Sequence, residues 1–268
     1  MNLFRERRCD VKNRIAPLFI RFAACCVLAL TGCSDSRGPE TSDESGTPTL
    51  MRPESAVILA HQILQDEAGA LLVDTARRDE LAREISHNLS RIREAYPEVA
   101  DITVRAPYAF GVLLIGLEPE LFAVVSALLE DQTGPVMLHT GYAEFDSLNE
   151  QLGLSEVVQV FPSSGIVTLY FNEYLNVPAA AAAYAALEGV EFAEPDAYVG
   201  DGSDIDVAQS EGRWYVVVRR AWGDCPSGCI NEELYFFIVN DAEVERIDHA
   251  PAMERAEFRE LVMNRGWW

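Results

Sequence analysis

Trp222-Gly-Asp-Cys225-Pro-Ser-Gly-Cys229 is the stretch of this chain whose residue types could most readily do chemistry. Two cysteines four apart on an extended strand would stand about 13 Å from each other. A disulfide wants its Cα atoms about 4.4–6.8 Å apart, and the intervening Pro-Ser-Gly can make the tight turn that closes the gap. The pair then reads as a clip on a hairpin end, contributing only about 2 kcal/mol in the chain-entropy model because the loop is so small. A redox pair competes with that reading, although three residues separate the cysteines where thioredoxin-like motifs have two. Structural zinc needs four ligands, and only two thiolates are on offer. Trp222, Asp224 and Ser227 also make this stretch a candidate binding loop.

Two other clusters carry chemistry on paper. Gly200-Asp201-Gly-Ser-Asp204-Ile-Asp206 puts three carboxylates in a glycine-rich turn. Calcium prefers oxygen ligands of this kind, so Asp201, Asp204 and Asp206 form a candidate metal site and calcium the one candidate cofactor. The spacing is not that of an EF-hand, and ordinary turns favour the same residues. His139, Glu144 and Asp146 could bind a metal or support acid–base work, or Asp146 could simply favour the first turn of a helix. His61 and His87 fall on expected helices without a paired ligand, and His249 precedes another. The sequence has no Gly-x-Ser-x-Gly elbow, His-Glu-x-x-His pair or phosphate-cradling glycine loop, which leaves the catalytic residues unassigned.

The elements that must position these residues are helices mixed with hairpins. Leu81, Ile85, Leu89, Ile92 and Tyr96 mark one face of an amphipathic helix that Pro97 ends. A shorter helix is expected over Ala56–Gln65. Ile102–Ala106 and Gly111–Leu117 read as strands turning at Pro107–Gly111, followed by a helix from Pro119 to about Glu130. A second block repeats that order. Asp146–Leu152 is helix, Val157–Phe161 and Val167–Phe171 are strands turning at Pro162–Gly165, and Asn176 caps a helix over Ala179–Leu187 that Gly189 stops. The parallel suggests an internal duplication. Beyond Gly189, strands are expected at Val190–Ala193, Ile205–Ala208, Trp214–Val218, Tyr235–Val239 and Val244–Ile247, then a helix over Pro251–Asn264. Such a mixture favours an α+β sheet fold over a doubly wound one.

The N-terminus has a different character. Arg5, Arg7, Arg8, Lys12 and Arg14 precede an apolar segment that closes with the unbroken run Phe22–Leu30, an order expected of a secretory signal. Spanning a bilayer takes about 20 apolar residues, and this run is far shorter. Leu30-Thr31-Gly32-Cys33 resembles the lipobox of bacterial lipoproteins, which implies a signal peptide over 1–32, a lipid on Cys33 and a membrane-anchored envelope protein. Residues 34–54 are polar, acidic and carry three prolines, so 33–54 reads as the lipidated cysteine and a disordered tether. Ser34 differs from the aspartate that retains lipoproteins at the inner membrane of enteric-type bacteria. With two membranes present, the outer one is therefore favoured.

Cleavage before Cys33 changes the charge. Residues 1–32 hold six basic and two acidic side chains, leaving 15 basic against 41 acidic and a formal charge near −26. Lys12 is the sole lysine, so the mature chain has none, which excludes Schiff-base and Ser–Lys chemistry. Binding nucleic acid needs clustered Lys or Arg, and this balance argues against it while permitting a cationic partner. Cys9, Cys25 and Cys26 leave with the signal, and Cys225 and Cys229 remain as an even pair in an exported protein. The body, 55–268, is long enough for one large domain or two small ones, with candidate sub-units 55–135 and 136–268.

Residues 179–196, Ala-rich and running through Leu187-Glu-Gly-Val-Glu-Phe-Ala-Glu-Pro-Asp196, resemble the end of a subtilase propeptide. There an alanine-rich helix breaks at Gly-Val and feeds a strand ending Ala-Glu-Pro-Asn, and Asp196 stands here for the asparagine. The hairpin-into-helix layout from Val157 extends the likeness over about 157–196. It implies a ferredoxin-like α/β sandwich, in a family whose members chaperone and inhibit the protease they precede. No subtilase catalytic domain follows. The expectation is a non-catalytic envelope lipoprotein whose body binds a protein or peptide. The alternative is an exported enzyme, either a thiol–disulfide oxidoreductase or a metal-assisted hydrolase.

Overall fold

Two antiparallel four-stranded sheets and seven α-helices make up the body, as described for residues 55–67, 69–130 and 139–267 of the computed structural model. It opens with a pair of packed helices, α1 (Ser55–Glu67) and α2 (Thr75–Ala95). Asp74 caps α2 by accepting the Ala76 and Arg77 N–H groups at 2.9 and 3.1 Å. Its expected apolar face is buried at Ile85, Leu89 and Ile92. The chain leaves the helix at Tyr96, ahead of Pro97.

The first sheet is built from β1 (Tyr108–Leu117), β2 (Leu154–Phe161), β3 (Ile166–Phe171) and β4 (Val190–Ala197), in the order β2-β3-β1-β4. Between them lie α3 (Pro119–Glu130), α4 (Ala143–Leu152) and α5 (Val177–Ala185). With α4 and α5 as the two crossover helices, this order is that of a ferredoxin-like βαββαβ module. Asn176 caps α5 through the Ala179 N–H at 3.3 Å. Gly165 ends the β2–β3 turn at φ +67° with the Leu117 carbonyl close by, a position where a side chain would be both strained and crowded.

The second sheet is a meander of β5 (Asp204–Ser210), β6 (Arg213–Trp222), β7 (Asn231–Val239) and β8 (Val244–Ile247). Strand alternation divides its side chains between two cores. Trp214, Val216, Val218, Tyr235 and Phe237 face a large core shared with α1, α2 and the first sheet. Tyr215, Val217, Phe236 and Ile238 face a smaller one closed by the C-terminal helices α6 (His249–Glu254) and α7 (Ala256–Arg265).

Several expectations need correcting. Ile102–Ala106 is not a strand, because its backbone donors go elsewhere: Val104 N–H to Ser55 Oγ and Arg105 N–H to Asp204 Oδ1. Residues 108–111, expected to turn, begin β1. The first block is thus helix–strand–helix, and a single ferredoxin-like module forms among the described residues where a duplicated one was suggested. Pro195 lies inside β4, not at its end. Since β4 is an edge strand, the missing N–H of Pro195 costs no ladder bond on its outer side. The expected C-terminal helix is divided at Arg255, which is extended at φ −89° and ψ 134°. β1 precedes residue 136 and its three sheet partners follow it, so this sheet bridges the two candidate sub-units. Among the described residues, no helix is long and apolar enough to cross a membrane.

Candidate functional site

The hairpin end between β6 and β7 is a small, tightly bonded structure. Cys225 and Cys229 lie at disulfide distance, with their Cα atoms 4.0 Å apart. A 3-10 turn, Cys225–Ser227, makes the reversal that Pro-Ser-Gly permits. Asp201 ties a second loop to it, donating its N–H to the Cys225 carbonyl at 2.8 Å and accepting the Cys229 N–H at 3.1 Å. The same carboxylate takes a two-pronged bond from Arg219, at 2.6 and 2.9 Å. Arg219 also reaches Glu232 at 2.6 Å. Two carboxylates and a nearly buried guanidinium thus satisfy one another. The Arg219 guanidinium holds the Asp201 carboxyl well below the usual carboxylate range.

Asp204 and Asp206 are also engaged by arginine. Asp206 accepts Arg265 Nε at 2.7 Å, and Asp204 stands 3.7 Å from the same guanidinium. Asp204 is buried and accepts the Arg105 and Ile205 N–H groups at 2.8 Å, yet burial still pushes its carboxyl up to about 6. The calcium expectation therefore fails on geometry: each of the three carboxylates is turned toward an arginine. Among the described residues, no group of three His, Cys, Asp or Glu side chains is arranged to hold a metal. The sequence lists charges by position, whereas these arginines arrive from other elements.

His139 and Glu144 are exposed, and Asp146 takes the Thr140 and Gly141 N–H groups at 2.9 and 3.1 Å. Asp146 thus fastens the entry to α4, as its ordinary reading has it. His61, which the sequence puts on a helix without a paired ligand, is fully buried on α1, stacked 3.9 Å from the Phe110 ring, with its Nε2–H donated to the Leu175 carbonyl at 2.9 Å. Cys33 lies outside the described residues. Of the candidate binding loop, Trp222, Asp224 and Ser227 are all exposed.

The less expected surface is the outer face of the first sheet. Residues opposite one another across a ladder share a face. Val157, Leu169 and Leu113 thus point inward to the large core, as do Val167 and Ile115. The outward rows are Val158–Thr168–Leu114–Glu194 and Ile166–Gly116–Phe192, with Glu156–Tyr170–Val112 beside them. Gly116 leaves room for the Phe192 ring, which would collide with any Cβ there. Leu114, Ile166, Tyr170 and Phe192 are half-buried, Val158 is exposed, Val112 and Thr168 are buried, and none of them belongs to either core. Antiparallel sheets with one solvated face usually turn polar residues to it. Here the face is mostly apolar, with Thr168 within it and Glu156 and Glu194 on its edge strands.

Residues 139–196 match the family model of the fervidolysin N-terminal prodomain. The prodomain-like segment takes in α4, β2, β3, α5 and β4, and so every element of the ferredoxin-like module except β1. It supports the resemblance to a subtilase propeptide and begins earlier than the quoted motif. Val158, Ile166, Tyr170 and Phe192 of the outer face lie inside it, while Leu114 and Gly116 come from β1 outside it. No curated protein and no solved structure matches the chain.

A cleft of about 720 Å³ lies away from the prodomain-like segment, between α1, α2, β5 and α7. Trp214 and Leu81 line it with Asp66, Glu80, Glu257 and Glu260, and Arg265 stands at the Asp206 side. Burial, then the nearby Asp206 charge, raises the Asp66 carboxyl from its ordinary value. No motif could have found this cleft, because its acids come from four separate elements.

Proposed function

We propose that this is a lipid-anchored envelope protein, held to its membrane through Cys33, whose body binds a protein partner and carries out no reaction of its own. The observation that carries the binding reading is the outer face of the first sheet. A contiguous apolar strip left outside both cores costs free energy in water, and such strips mark interaction sites. Leu114, Ile166 and Phe192 form its centre, and the rim carboxylates Glu156 and Glu194 suit a partner surface that is apolar with basic margins. The absence of lysine from the body keeps that charge pattern one-sided.

The prodomain match favours one class of partner. If the sheet acts as subtilase propeptides do, its partner is an exported serine protease of that type, supplied by another chain and held inactive or helped to fold. Thiol–disulfide exchange at Cys225 and Cys229 draws no support beyond the pair itself.

The test is a photo-crosslinker placed at Val158, on the exposed margin of the strip, in cells carrying the full chain. One discrete crosslinked protein is expected, and Leu114→Arg at the strip's centre should abolish it while the chain still accumulates. A matching crosslinker at Ser86, on the exposed side of α2, should stay silent. Equal labelling from both positions, or none from Val158, would sink the proposal. If the partner is a subtilase-type protease, adding the purified chain should inhibit it, and Leu114→Arg should relieve that inhibition.

A further inference from the structure

Four of the most exposed large apolar side chains gather on two bonded loops. Val199 is 93% exposed and Ile230 74%, with Tyr198 at 56% and Trp222 at 47%. Tyr198 and Val199 lead into the Asp201 loop, and Trp222 and Ile230 flank the cysteine hairpin. The loops touch through the Asp201–Cys225 and Cys229–Asp201 bonds, and Gly200 packs on the Pro226 backbone. Ile230 packs in turn over Gly223, next to Trp222. The result is one cross-linked tip, and its rigidity means little conformational entropy remains to be lost on docking.

The tip lies where the tether enters. Residues 34–54 join the body at Ser55, the first residue of α1, whose Oγ accepts the Val104 N–H at 3.1 Å. The next residue, Arg105, donates its N–H to Asp204 at 2.8 Å and its Nη2 to the Val199 carbonyl at 3.3 Å. Two consecutive residues therefore connect the tether's attachment point to the tip.

We propose that the tip formed by Tyr198, Val199, Trp222 and Ile230 inserts into the lipid bilayer to which the chain is anchored. The inference rests on the reading of Cys33 as a lipid anchor. The sequence puts only 21 residues between Cys33 and Ser55, and so short a connection confines the tip to the neighbourhood of the surface. That confinement acts as a high local concentration, so a small apolar tip is enough. The residue types fit an interface: Val and Ile at the apex, with the amphipathic Trp and Tyr rings that settle at headgroup level. Interfacial apolar groups sink about 5–10 Å into the headgroup–acyl boundary. Asp201 is neutralised by Arg219, Asp224 stays exposed, and the one arginine bonded to the tip, Arg105, spends its Nη2 on the Val199 carbonyl; with no cluster of cations to hold anionic headgroups, the surface that fits is zwitterionic lipid.

The experiment uses the full chain, processed in a lipoprotein-competent bacterium and reconstituted into phosphatidylcholine vesicles with bromine on the acyl chains. Bromine quenches tryptophan only at close range. The wild-type emission should fall clearly more than that of Trp222→Phe. The double variant Val199→Asp/Ile230→Asp should still float with the vesicles, melt as the wild type does, and be quenched no more than Trp222→Phe. Equal quenching of wild type and Trp222→Phe, or Trp222 quenching that survives the double variant, overturns the inference. Protection of the two loops from hydrogen exchange in native envelopes, without quenching in pure lipid, would assign the tip to a protein and overturn it too. Mass spectrometry of the Cys33 peptide separates the two readings. An unmodified cysteine defeats the anchor and the inference together, whereas a lipidated chain without Trp222 quenching defeats the tip alone.

Discussion

His61 has no room for a second proton. Its Nε2–H is spent on the Leu175 carbonyl, and its Nδ1 has no hydrogen-bond partner. Arg78 lies near enough to disfavour a positive ring, while Tyr174 and Phe110 pack against it. Burial first, with that neighbouring charge, lowers its pKa from 6.5 to about 4. A depressed folded-state value means that the neutral ring's stability is present above pH 6.5 and lost as pH falls through about 4. Asp204 works the other way: raised to about 6, it adds stability below about pH 4 that disappears as pH rises through 6. The two partly cancel in the wild type, so the informative quantity is the difference from His61→Gln. Urea denaturation should show the wild type losing about 3 kcal/mol relative to that variant between pH 7 and pH 4. A constant difference across the range would mean that His61 does not titrate against the fold. The sequence shows His61 on a helix, but not that α1 presses it against β1 from a distant part of the chain.

At the scale of elements, the hairpin end of β6 and β7 has two kinds of fastening. The cysteine pair closes a small loop, and Asp201 bonds that loop to the segment leading into β5. Replacing both cysteines by alanine should therefore cost about 2 kcal/mol in denaturant and leave the sheet intact, since Arg219 still links Asp201 to Glu232. A loss large enough to unfold the chain would show that the clip secures the whole sheet. The cysteine turn was legible because Pro-Ser-Gly has its own geometry. The aspartates next to it were misread because the cations that engage them, Arg219 on β6 and Arg265 on α7, are brought in by pairing and packing. The supposed duplication failed for a related reason: the strand propensity of Ile102–Ala106 was overridden once Ser55 and Asp204 took its backbone donors.

Across the described body, the larger of the two cores joins α1, α2 and both sheets. α1 and α2 contribute Leu59, Ile85 and Leu89 to the same cluster as Leu113 and Leu169 of the first sheet and Val216 and Phe237 of the second. The sheet that bridges residue 136 adds hydrogen bonds to that continuity. Unfolding in urea should accordingly be a single transition, with tryptophan emission and far-ultraviolet circular dichroism giving the same midpoint. Trp214 and Trp222 report on the second sheet while the dichroism averages over both, so separated midpoints would reveal two independent folding units.

Sequence alone was enough for features governed by local chemistry. They include the periodic face of α2, the Asn176 cap, the helix start at Pro119, the Pro162–Gly165 turn, the cysteine turn and the propeptide-like run to Asp196. Each follows from backbone restriction, side-chain period or a short loop, and none needs a distant partner. Tertiary structure alone decided which surfaces were left over. Period two says that Leu114 and Leu113 face opposite ways, but not that Leu113 enters the large core while Leu114 joins neither core. Nor does it say that the loops carrying Val199 and Ile230 are bonded to each other through Asp201. Such juxtapositions depend on which strands pair and which helices pack, and a linear pattern of hydrophobicity carries no record of either.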